Sequence, residues 1–489
     1  MKGLKKIIQL LCLSAFICSC IHKTDKYKET GTLPHIFPDY VNVTIPNNIA
    51  PLNFRLEEPS GQAVLEITGD GRTISASSQD GSFIIPSKKW KKLLQKNKGS
   101  GIELTVFQKE KEGWKKYNSF SIAISADSID PYLAYRLIEP GYKLWSEMGI
   151  YQRNVENFKE IPVYENKSTE HNCVNCHSFC MNNPGEMLFH MRGYHGGTML
   201  VNDRKIEKLN TKTDSTISKF VYPCWHPSGR FISFSLNHTQ QVFYMHNRNR
   251  IEVYDEKSDI AVYDTKTHEV FTSPLLSGEK SLETFPGFSP DGKTLYFCTA
   301  IQKSVPDNSD SVKYSLCAIS FDAETQGFGT KVDTLFNAGK QNKSAAFPRV
   351  SPDGSYILFT VADYGCFPIW HKEADLYLYN LESKKYVDVN KVNSADVDSY
   401  HSWSSNSKWF VFSSRRADGL YTCPYIAHIG RDGEAEKAFM LPQKNPAFYG
   451  EFMKSYNIPE FITGAVTVDA YHLAKESGTD GVDVSFSPN

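Results

Sequence analysis

The chain has 489 residues, of which 40% are hydrophobic, 22% charged and 13% aromatic, and its net charge is −1 at pH 7. This composition describes an ordinary soluble body, and it offers no positive field for nucleic acid. The length exceeds that of one ordinary hydrophobic core and predicts two or three domains.

The N-terminus has the order of a secretory signal. Three lysines precede an apolar run over residues 7–17, which is about half the roughly 20 residues that a membrane-spanning helix needs. A small residue, Ser19, then precedes Cys20, and this pair resembles the cleavage site of bacterial lipoproteins. The pattern predicts a signal peptide over residues 1–19, acylation of Cys20, and an outer-membrane lipoprotein that faces the periplasm or the cell surface.

Alternating apolar residues dominate the region 41–127, for example at 102–107 and 120–124. This pattern predicts a β-sandwich-like domain, preceded by a linker over residues 20–40. No cluster of acidic, histidine or cysteine residues marks a site in it, so we expect a spacer or packing module. A connecting segment rich in Tyr, Arg and Glu is expected over residues 128–170.

The next feature is the motif CxxCH, at Cys173, Cys176 and His177. Two thiols and one imidazole in this spacing attach haem through its vinyl groups and bind its iron. The secretory signal would deliver the motif to the side of the membrane where such attachment occurs. The sequence therefore predicts one c-type haem, with the cytochrome c maturation machinery as a partner. A disulfide or free thiols remain alternatives, as does a zinc site completed by Cys180 or His171.

A haem held by His177 leaves a sixth iron position to be filled. Histidine or methionine there would give low-spin iron suited to electron transfer. Met199 or His195 is preferred, and the alternatives are His171, His190, Met191 and His401. Because the remaining cysteines sit in apolar strand patterns, as Cys298 does, we expect no disulfide framework.

Four segments of the second half repeat one phrase, and they lie at 222–235, 285–299, 347–361 and 400–414. In each, a short strand enters a turn rich in Pro, Asp or Asn and Gly, and an alternating apolar strand leaves it. Together with a third strand, each repeat predicts one blade of a β-propeller.

The blade of a weaker fifth repeat, whose turn and following strand lie at residues 182–191, carries the CxxCH motif. Aligning Gly185 with Gly229 places His177 level with Val221, at the start of an innermost strand. The propeller is predicted over residues 171–470, followed by a flexible tail over 471–489. A sixth blade would come from residues near 130–165 or near 450–470.

The repeats resemble the TolB-like, WD-type β-propeller repeat, whose Ser-Pro-Asp-Gly signature is matched at 289–292 and 351–354. From Asp130 to about Gln443 the chain is similar to Bacteroidota-type lipoproteins commonly labelled cytochrome c biosynthesis or TolB-like proteins. The resemblance implies an all-β fold with a TolB-like propeller of six blades.

Two classes of function follow. The first is electron transfer or redox sensing by the haem, with a redox or protein partner at the propeller mouth. The second is a propeller without haem that acts as a binding scaffold for protein or glycan partners. Candidate partner-binding residues at blade edges are Asp363, Tyr364, Trp370, His371, Glu373, His401, Arg415 and Arg416. The alternative for these residues is a role in strand-end turns and ion pairs. No GxSxG nucleophile motif occurs, which disfavours a serine peptidase.

Overall fold

The computed structural model describes residues 26–58, 61–139, 147–244 and 249–487. The predicted signal peptide and Cys20 lie outside these residues. An N-terminal region of two sheets is followed by six further sheets of four or five strands. Within the described ranges, no helix has both the length and the apolar character needed to cross a bilayer.

The N-terminal region contains ten strands and one helix. They are β1 (Tyr27–Glu29), β2 (Ile36–Phe37), β3 (Thr44–Ile45), β4 (Phe54–Leu56), β5 (Ala63–Gly69), β6 (Arg72–Ser78), β7 (Ser82–Phe83), α1 (Ser87–Lys96), β8 (Gly101–Glu110), β9 (Gly113–Lys116) and β10 (Phe120–Ile124). Strands β2, β4 and β7 form a three-stranded sheet, and the other seven form a second sheet. In β10 the residues alternate between buried and exposed, as expected for a strand with one face on a core. The region starts earlier than predicted, because β1 and β2 lie in the expected linker 20–40 and β1 pairs with β9.

The six following sheets are the blades of a propeller, which confirms the predicted fold. Blade 1 begins with β11 (Tyr132–Ile138), β12 (Met148–Asn154) and β13 (Glu160–Glu165). Blades 2 and 3 are β14 (Val174–Phe179), β15 (Met187–Met191), β16 (Gly197–Asn202) and β17 (Lys205–Asn210), then β18 (Phe220–Trp225), β19 (Phe231–Phe243), β20 (Ile251–Asp264) and β21 (Glu269–Phe271). Blade 4 is β22 (Ser281–Phe288), β23 (Thr294–Ile301), β24 (Ser315–Asp322) and β25 (Gly327–Phe336), followed by the short helix α2 (Ala338–Gln341). Blades 5 and 6 are β26 (Ser344–Val350), β27 (Tyr356–Ala362), β28 (Asp375–Asn380) and β29 (Lys385–Val387), then β30 (Asp398–Trp403), β31 (Trp409–Ser414), β32 (Cys423–His428) and β33 (Phe439–Met440). Short 3₁₀ segments lie at Asn166–Thr169, Cys180–Asn182, Ser309–Ser311 and Pro368–Trp370.

The Ser-Pro-Asp-Gly turns join the first two strands of a blade by side-chain hydrogen bonds. The Asp291 carboxylate accepts from the Ser289 hydroxyl at 2.5 Å and from the Lys293 N–H at 3.0 Å, and the Ser289 hydroxyl accepts from the Thr294 N–H. The glycine that follows, Gly292, has φ of 72°, which favours a residue without Cβ. In blade 6, Asn406 accepts the same pair of bonds, so the degenerate phrase still forms the turn.

Blade 1 is completed by a strand from the other end of the chain. After the short helix α3 (Phe448–Glu451), β34 (Ser455–Ile462) pairs antiparallel with β11 and becomes the innermost strand of the blade. The expected connecting segment 128–170 therefore holds three strands of a blade. Both candidate regions for the sixth blade contribute to it, and this closes the ring.

The expected flexible tail 471–489 is ordered over its described part. Helix α4 (Ala470–Ser477) buries Leu473 against blades 1 and 2, while β35 (Val482–Asp483) and β36 (Ser485–Phe486) extend blades 2 and 3. The Lys208 ammonium donates to the carbonyls of Ser477 and Thr479 at 2.9 and 2.8 Å. The C-terminal residues thus fasten the outer edges of two blades.

The N-terminal region packs on the junction of blades 6 and 1, where one hydrophobic core joins all three. Across this contact, the Ser125 hydroxyl lies 3.2 Å from His428 Nε2, and Lys437 Nζ lies 2.8 Å from the Asp39 carboxylate. The region therefore supports the ring at its point of closure.

Candidate binding channel

Each innermost strand carries a two-residue bulge at the same height. The first residue of the bulge has a positive φ of 47–54° although none is glycine; the six are Cys176, Tyr222, Phe285, Phe347, Tyr400 and Ile458. The ladder to the next strand shifts register at these positions in all six blades. Such strain in six equivalent places is maintained by the ring itself, because the neighbouring blades pack on both sides.

The CxxCH motif is the blade 2 copy of this bulge. Cys176 has the positive φ, and His177 takes the place that proline takes in blades 1, 3, 4 and 5. His401 is the corresponding residue of blade 6. His177 is thus level with Pro223 rather than with Val221, so the alignment through Gly185 was wrong by two residues. The repeated pair of bulky residue and proline at 222–223, 285–286 and 347–348 was the signal that could have corrected it.

The two thiols of the motif face different surroundings. Cys173 packs in an apolar cluster between blades 1 and 2, whereas Cys176 and His177 line the central channel. All three side chains are at most 8% exposed. A haem held by both thioethers needs the two sulfurs beside one macrocycle, and an extended, bulged strand in a packed blade does not present them in that way. The residues of the motif therefore do not fit the predicted haem in this structure.

The predicted sixth ligands are also dispersed. Met199 and Met191 are buried in the apolar cluster that holds Cys173, and His190 is buried with Nδ1 2.7 Å from the Thr198 hydroxyl. His195 is half-buried beside Tyr194, and His171 is exposed. His401 shares the channel with His177. Within the described residues, no three His, Cys, Asp or Glu side chains are grouped so as to hold a metal ion.

The channel has a volume of about 150 Å³ and is lined by all six innermost strands. This is smaller than a typical ligand pocket of about 300–1,000 Å³, so it suits one protruding group better than a whole cofactor. The prolines of the blade turns, such as Pro290 and Pro352, also line it, which places its mouth on the face where the innermost strands end.

Four aromatic rings narrow the channel at the level of the bulges. The ring centroids are 4.6 Å apart for Tyr222 and Phe285, 4.4 Å for Phe285 and Phe347, and 4.7 Å for Phe347 and Tyr400. These distances are typical of favourable aromatic contacts. The rings thus form a floor below the open mouth.

The residues that directly follow the bulges form one level of the channel, and most of them are polar. It consists of Ser178, Cys224, Arg349, Ser402 and Glu460, with glycine in blade 4. The blade 4 position excludes a side chain, because a Cβ on Gly287 would lie 2.9 Å from the Pro348 carbonyl oxygen. Trp225 and Trp403 border this level, and their indole N–H groups donate to carbonyls of the adjoining blades at 3.4 and 3.0 Å.

The acid of this level, Glu460, is set deep in the protein but keeps part of its surface open to the channel. Burial raises its pKa to about 7, although the Phe179 N–H, 3.1 Å away, and the nearby Arg349 favour the charged form. The Arg349 guanidinium donates to the Pro348 carbonyl oxygen at 3.2 Å. The channel thus combines one cation with one carboxyl that is partly protonated at neutral pH.

Both channel histidines are neutral at pH 7. Burial, with the positive charge of Arg136 next, lowers the pKa of His177 to about 3, and burial and Arg349 do the same for His401. His401 Nε2 donates to the Leu358 carbonyl at 2.9 Å, which leaves Nδ1 as an unpaired acceptor. Neither ring nitrogen of His177 makes a hydrogen bond, although the Ile458 backbone lies beside it. These unpaired nitrogens expose almost no surface to the channel, so their burial costs stability.

Most predicted partner-binding residues make contacts within the protein instead. The long hairpin β19–β20 reaches blade 5, where Glu252 accepts from Tyr364 at 2.8 Å and lies 3.1 Å from His371 Nε2. His371 is 1% exposed, with Nδ1 3.4 Å from Glu373. These residues therefore hold the hairpin, with Tyr364 half-buried and His371 buried. The Tyr364 hydroxyl also accepts from the Asn249 amide at 3.1 Å, and neither this contact nor that to Glu252 could be read from the sequence, because the partners lie 115 and 112 positions away.

The other members of that set are also mostly internal. Arg415 stacks on Trp370 and is 4% exposed, while Arg416 lies 2.6 Å from the buried carboxylate of Asp398. Asp363 is exposed and pairs with Lys343.

No family model and no curated protein matches the chain. Among solved structures, a prolyl endopeptidase is similar, with 11% identity, a TM-score of 0.35 and coverage of 63% of this chain and 42% of that chain. Porphyromonas gingivalis dipeptidyl peptidase 4 gives 10% identity, a TM-score of 0.30 and coverage of 60% and 42%. An ancestral GH74 enzyme gives 10% identity, a TM-score of 0.31 and coverage of 63% of this chain and 46% of that chain. The chain thus spans less than half the length of each of these proteins, and at such low identities and scores their activities are not transferred to it.

Proposed function

We propose that this protein is a lipid-anchored propeller that binds a protein or glycan partner outside the cytoplasm, through the mouth of the central channel. The observation that carries the proposal is the pair of ionisable side chains, Arg349 and Glu460, that keep exposed surface in a channel open at one face. Arg349 offers a cation, and Glu460, whose pKa is raised to about 7, offers a protonatable acid. Aromatic walls beside them favour a partner that inserts a polar group with an apolar stem.

Site-specific photocrosslinking in cells tests this function. A photoreactive phenylalanine analogue is placed at Met181, which lies at the channel mouth and is 44% exposed, and at Ile84 of the N-terminal region, which is 53% exposed, as the matched control. Binding at the mouth predicts discrete adducts from position 181 alone. These adducts should be lost in a second variant that carries Arg349→Ala. Identical adduct patterns from both positions would contradict the proposal.

Anchoring is tested separately. Ser19 and Cys20 supply the small residue and thiol that lipoprotein processing needs, so Cys20→Ala should abolish palmitate labelling and release the protein from the outer membrane fraction. A variant that is labelled like the wild type would exclude this anchor.

A c-type haem for electron transfer or redox sensing is the second candidate. It is favoured by the CxxCH spacing and by the two unpaired nitrogens of His177. The test is the intact mass and pyridine haemochrome spectrum of protein made together with cytochrome c maturation factors. The binding function predicts the mass of the polypeptide without haem. A covalent haem lost on replacement of Cys173 or Cys176 would establish the haem function instead, and strand β14 would then have to leave its blade.

A further inference from the structure

A second cavity lies on the opposite face of the ring, where the innermost strands begin. It has a volume of about 400 Å³ and lies between the hairpin and the loops of blades 5 and 6. Three cations and two carboxylates line it: Arg250, Lys372, Arg415, Asp396 and Asp418. Its residues are separate from those of the channel.

The central feature of this cavity is a buried guanidinium without a counter-ion. Arg415 Nε donates to the Ile369 carbonyl oxygen at 3.1 Å, and Nη1 donates to the Leu420 carbonyl oxygen. The guanidinium carbon lies 3.3 Å from the centroid of the Trp370 ring. Nη2 makes no hydrogen bond to the described protein, and it is not among the buried groups that lack a partner, so it faces the cavity.

Burial lowers the pKa of Arg415 to about 9, with a smaller contribution from Arg250, although the charges of Asp396 and Asp418 oppose this shift. The protein thus bears a cost for keeping this cation buried. The neighbouring Arg416 shows the usual solution, since its guanidinium lies 2.6 Å from the Asp398 carboxylate. Arg415 has no such partner within 4 Å in the described residues.

The two carboxylates of the cavity already have partners. Asp418 Oδ1 accepts from the N–H groups of Leu420 and Tyr421 at 2.7 and 2.9 Å. Asp396 Oδ1 accepts from the Val397 N–H at 2.8 Å, and its Oδ2 lies 3.6 Å from Lys372 Nζ. Three cations against two occupied carboxylates leave the cavity one positive charge in excess.

We propose that this cavity binds an oxyanion, namely a carboxylate, sulfate or phosphate group carried by an external ligand. Arg415 Nη2 would donate to it from below, and Lys372 and the exposed Arg250 would flank it. The N–H groups of Nη2 lie in the plane of the guanidinium, and Trp370 and the two carbonyls fix that plane, so the direction of donation is set before the anion binds.

Isothermal titration calorimetry tests the site with acetate, sulfate and methyl phosphate, at constant ionic strength set with chloride. Saturable one-site binding of at least one anion is expected. The anion with the highest affinity identifies the oxyanion group of the ligand. Arg250→Ala and Lys372→Ala should each weaken binding at least tenfold, and Asp396→Asn should tighten it several-fold. The control Arg431→Ala, at an exposed position outside the cavity, should change the affinity less than twofold.

Arg415→Gln is the direct variant, and if it fails to fold, the variants at 250, 372 and 396 carry the test. Absence of saturable binding for all three anions would overturn the proposal, as would equal affinity in the wild type, Arg250→Ala and Lys372→Ala. Neither result bears on the channel, whose residues lie on the other face.

Discussion

A buried charge pair is among the contacts that hold the hairpin β19–β20 on blade 5, and it makes the attachment depend on pH. Glu252 and His371 have side chains that are 5% and 1% exposed. Burial alone would lower the pKa of His371, but the hydrogen bond to Glu252 and the neighbouring Glu373 raise it to about 9, from an ordinary 6.5. The same contacts hold the pKa of Glu252 below its ordinary value against the effect of burial.

The sign of the dependence follows from these directions. The raised pKa of His371 stabilises the attached hairpin fully below pH 6.5, and the effect is lost as the pH rises to about 9. The lowered pKa of Glu252 stabilises it above pH 4.5 and is lost on acidification. Because each tenfold change in proton affinity is worth about 1.4 kcal/mol, the proton on His371 contributes up to about 3 kcal/mol near pH 6.

His371→Gln separates the charge from the hydrogen bond, since the amide keeps a donor near the position of Nε2 but does not titrate. Hydrogen exchange of the hairpin peptides 237–243 and 251–258 measures the local opening free energy. At pH 6.0 the variant should lose about 2–3 kcal/mol of it, and at pH 8.5 less than about 1 kcal/mol. His472→Gln, at an exposed histidine of α4, is the control. An equal loss at both pH values would refute the argument that the proton stabilises the attachment.

Three further predictions concern the ring. Gly292→Ala should destabilise the protein more than Gly354→Ala. Both glycines have φ above 70°, so either alanine would bear a backbone strain of about 1–2 kcal/mol, but only at Gly292 would the new Cβ lie 2.1 Å from His226 Nε2. Equal melting temperatures of the two variants would contradict this. Glu460→Gln should stabilise the protein at pH 8 and not at pH 4.5. The raised pKa of this acid lowers the folding stability by roughly 1–3 kcal/mol as the pH rises from 4.5 to about 7. An effect on thermal unfolding that does not depend on pH would argue against a buried carboxyl. Ending the chain after Lys454 removes β34 and the tail strands, so blades 1 to 3 should unfold at a lower temperature in calorimetry. A truncated chain that melts like the wild type would show that the blades do not depend on closure of the ring.

Local chemistry made the blades readable from the sequence. The turn at Ser289–Gly292 needs a hydroxyl, a carboxylate and a residue of positive φ within four positions, so the phrase itself carries the structure. The alternation of buried and exposed residues in strands such as β10 likewise follows from the geometry of a single strand.

Pairing between strands that are far apart in the chain determined how the ring closes. Leu133 and Leu137 pair with Phe461 and Tyr456, more than 300 positions later, and no local signal distinguishes the strand that closes a ring from any other apolar strand. Distant residues also set the place of the CxxCH motif in the ring. The residue pattern alone satisfies the chemistry of haem attachment, but the packed ring makes it a bulged strand, with Cys173 in one core and Cys176 in the channel. Only the tertiary structure determines which way each side chain faces, because that direction depends on the neighbouring blades on both sides.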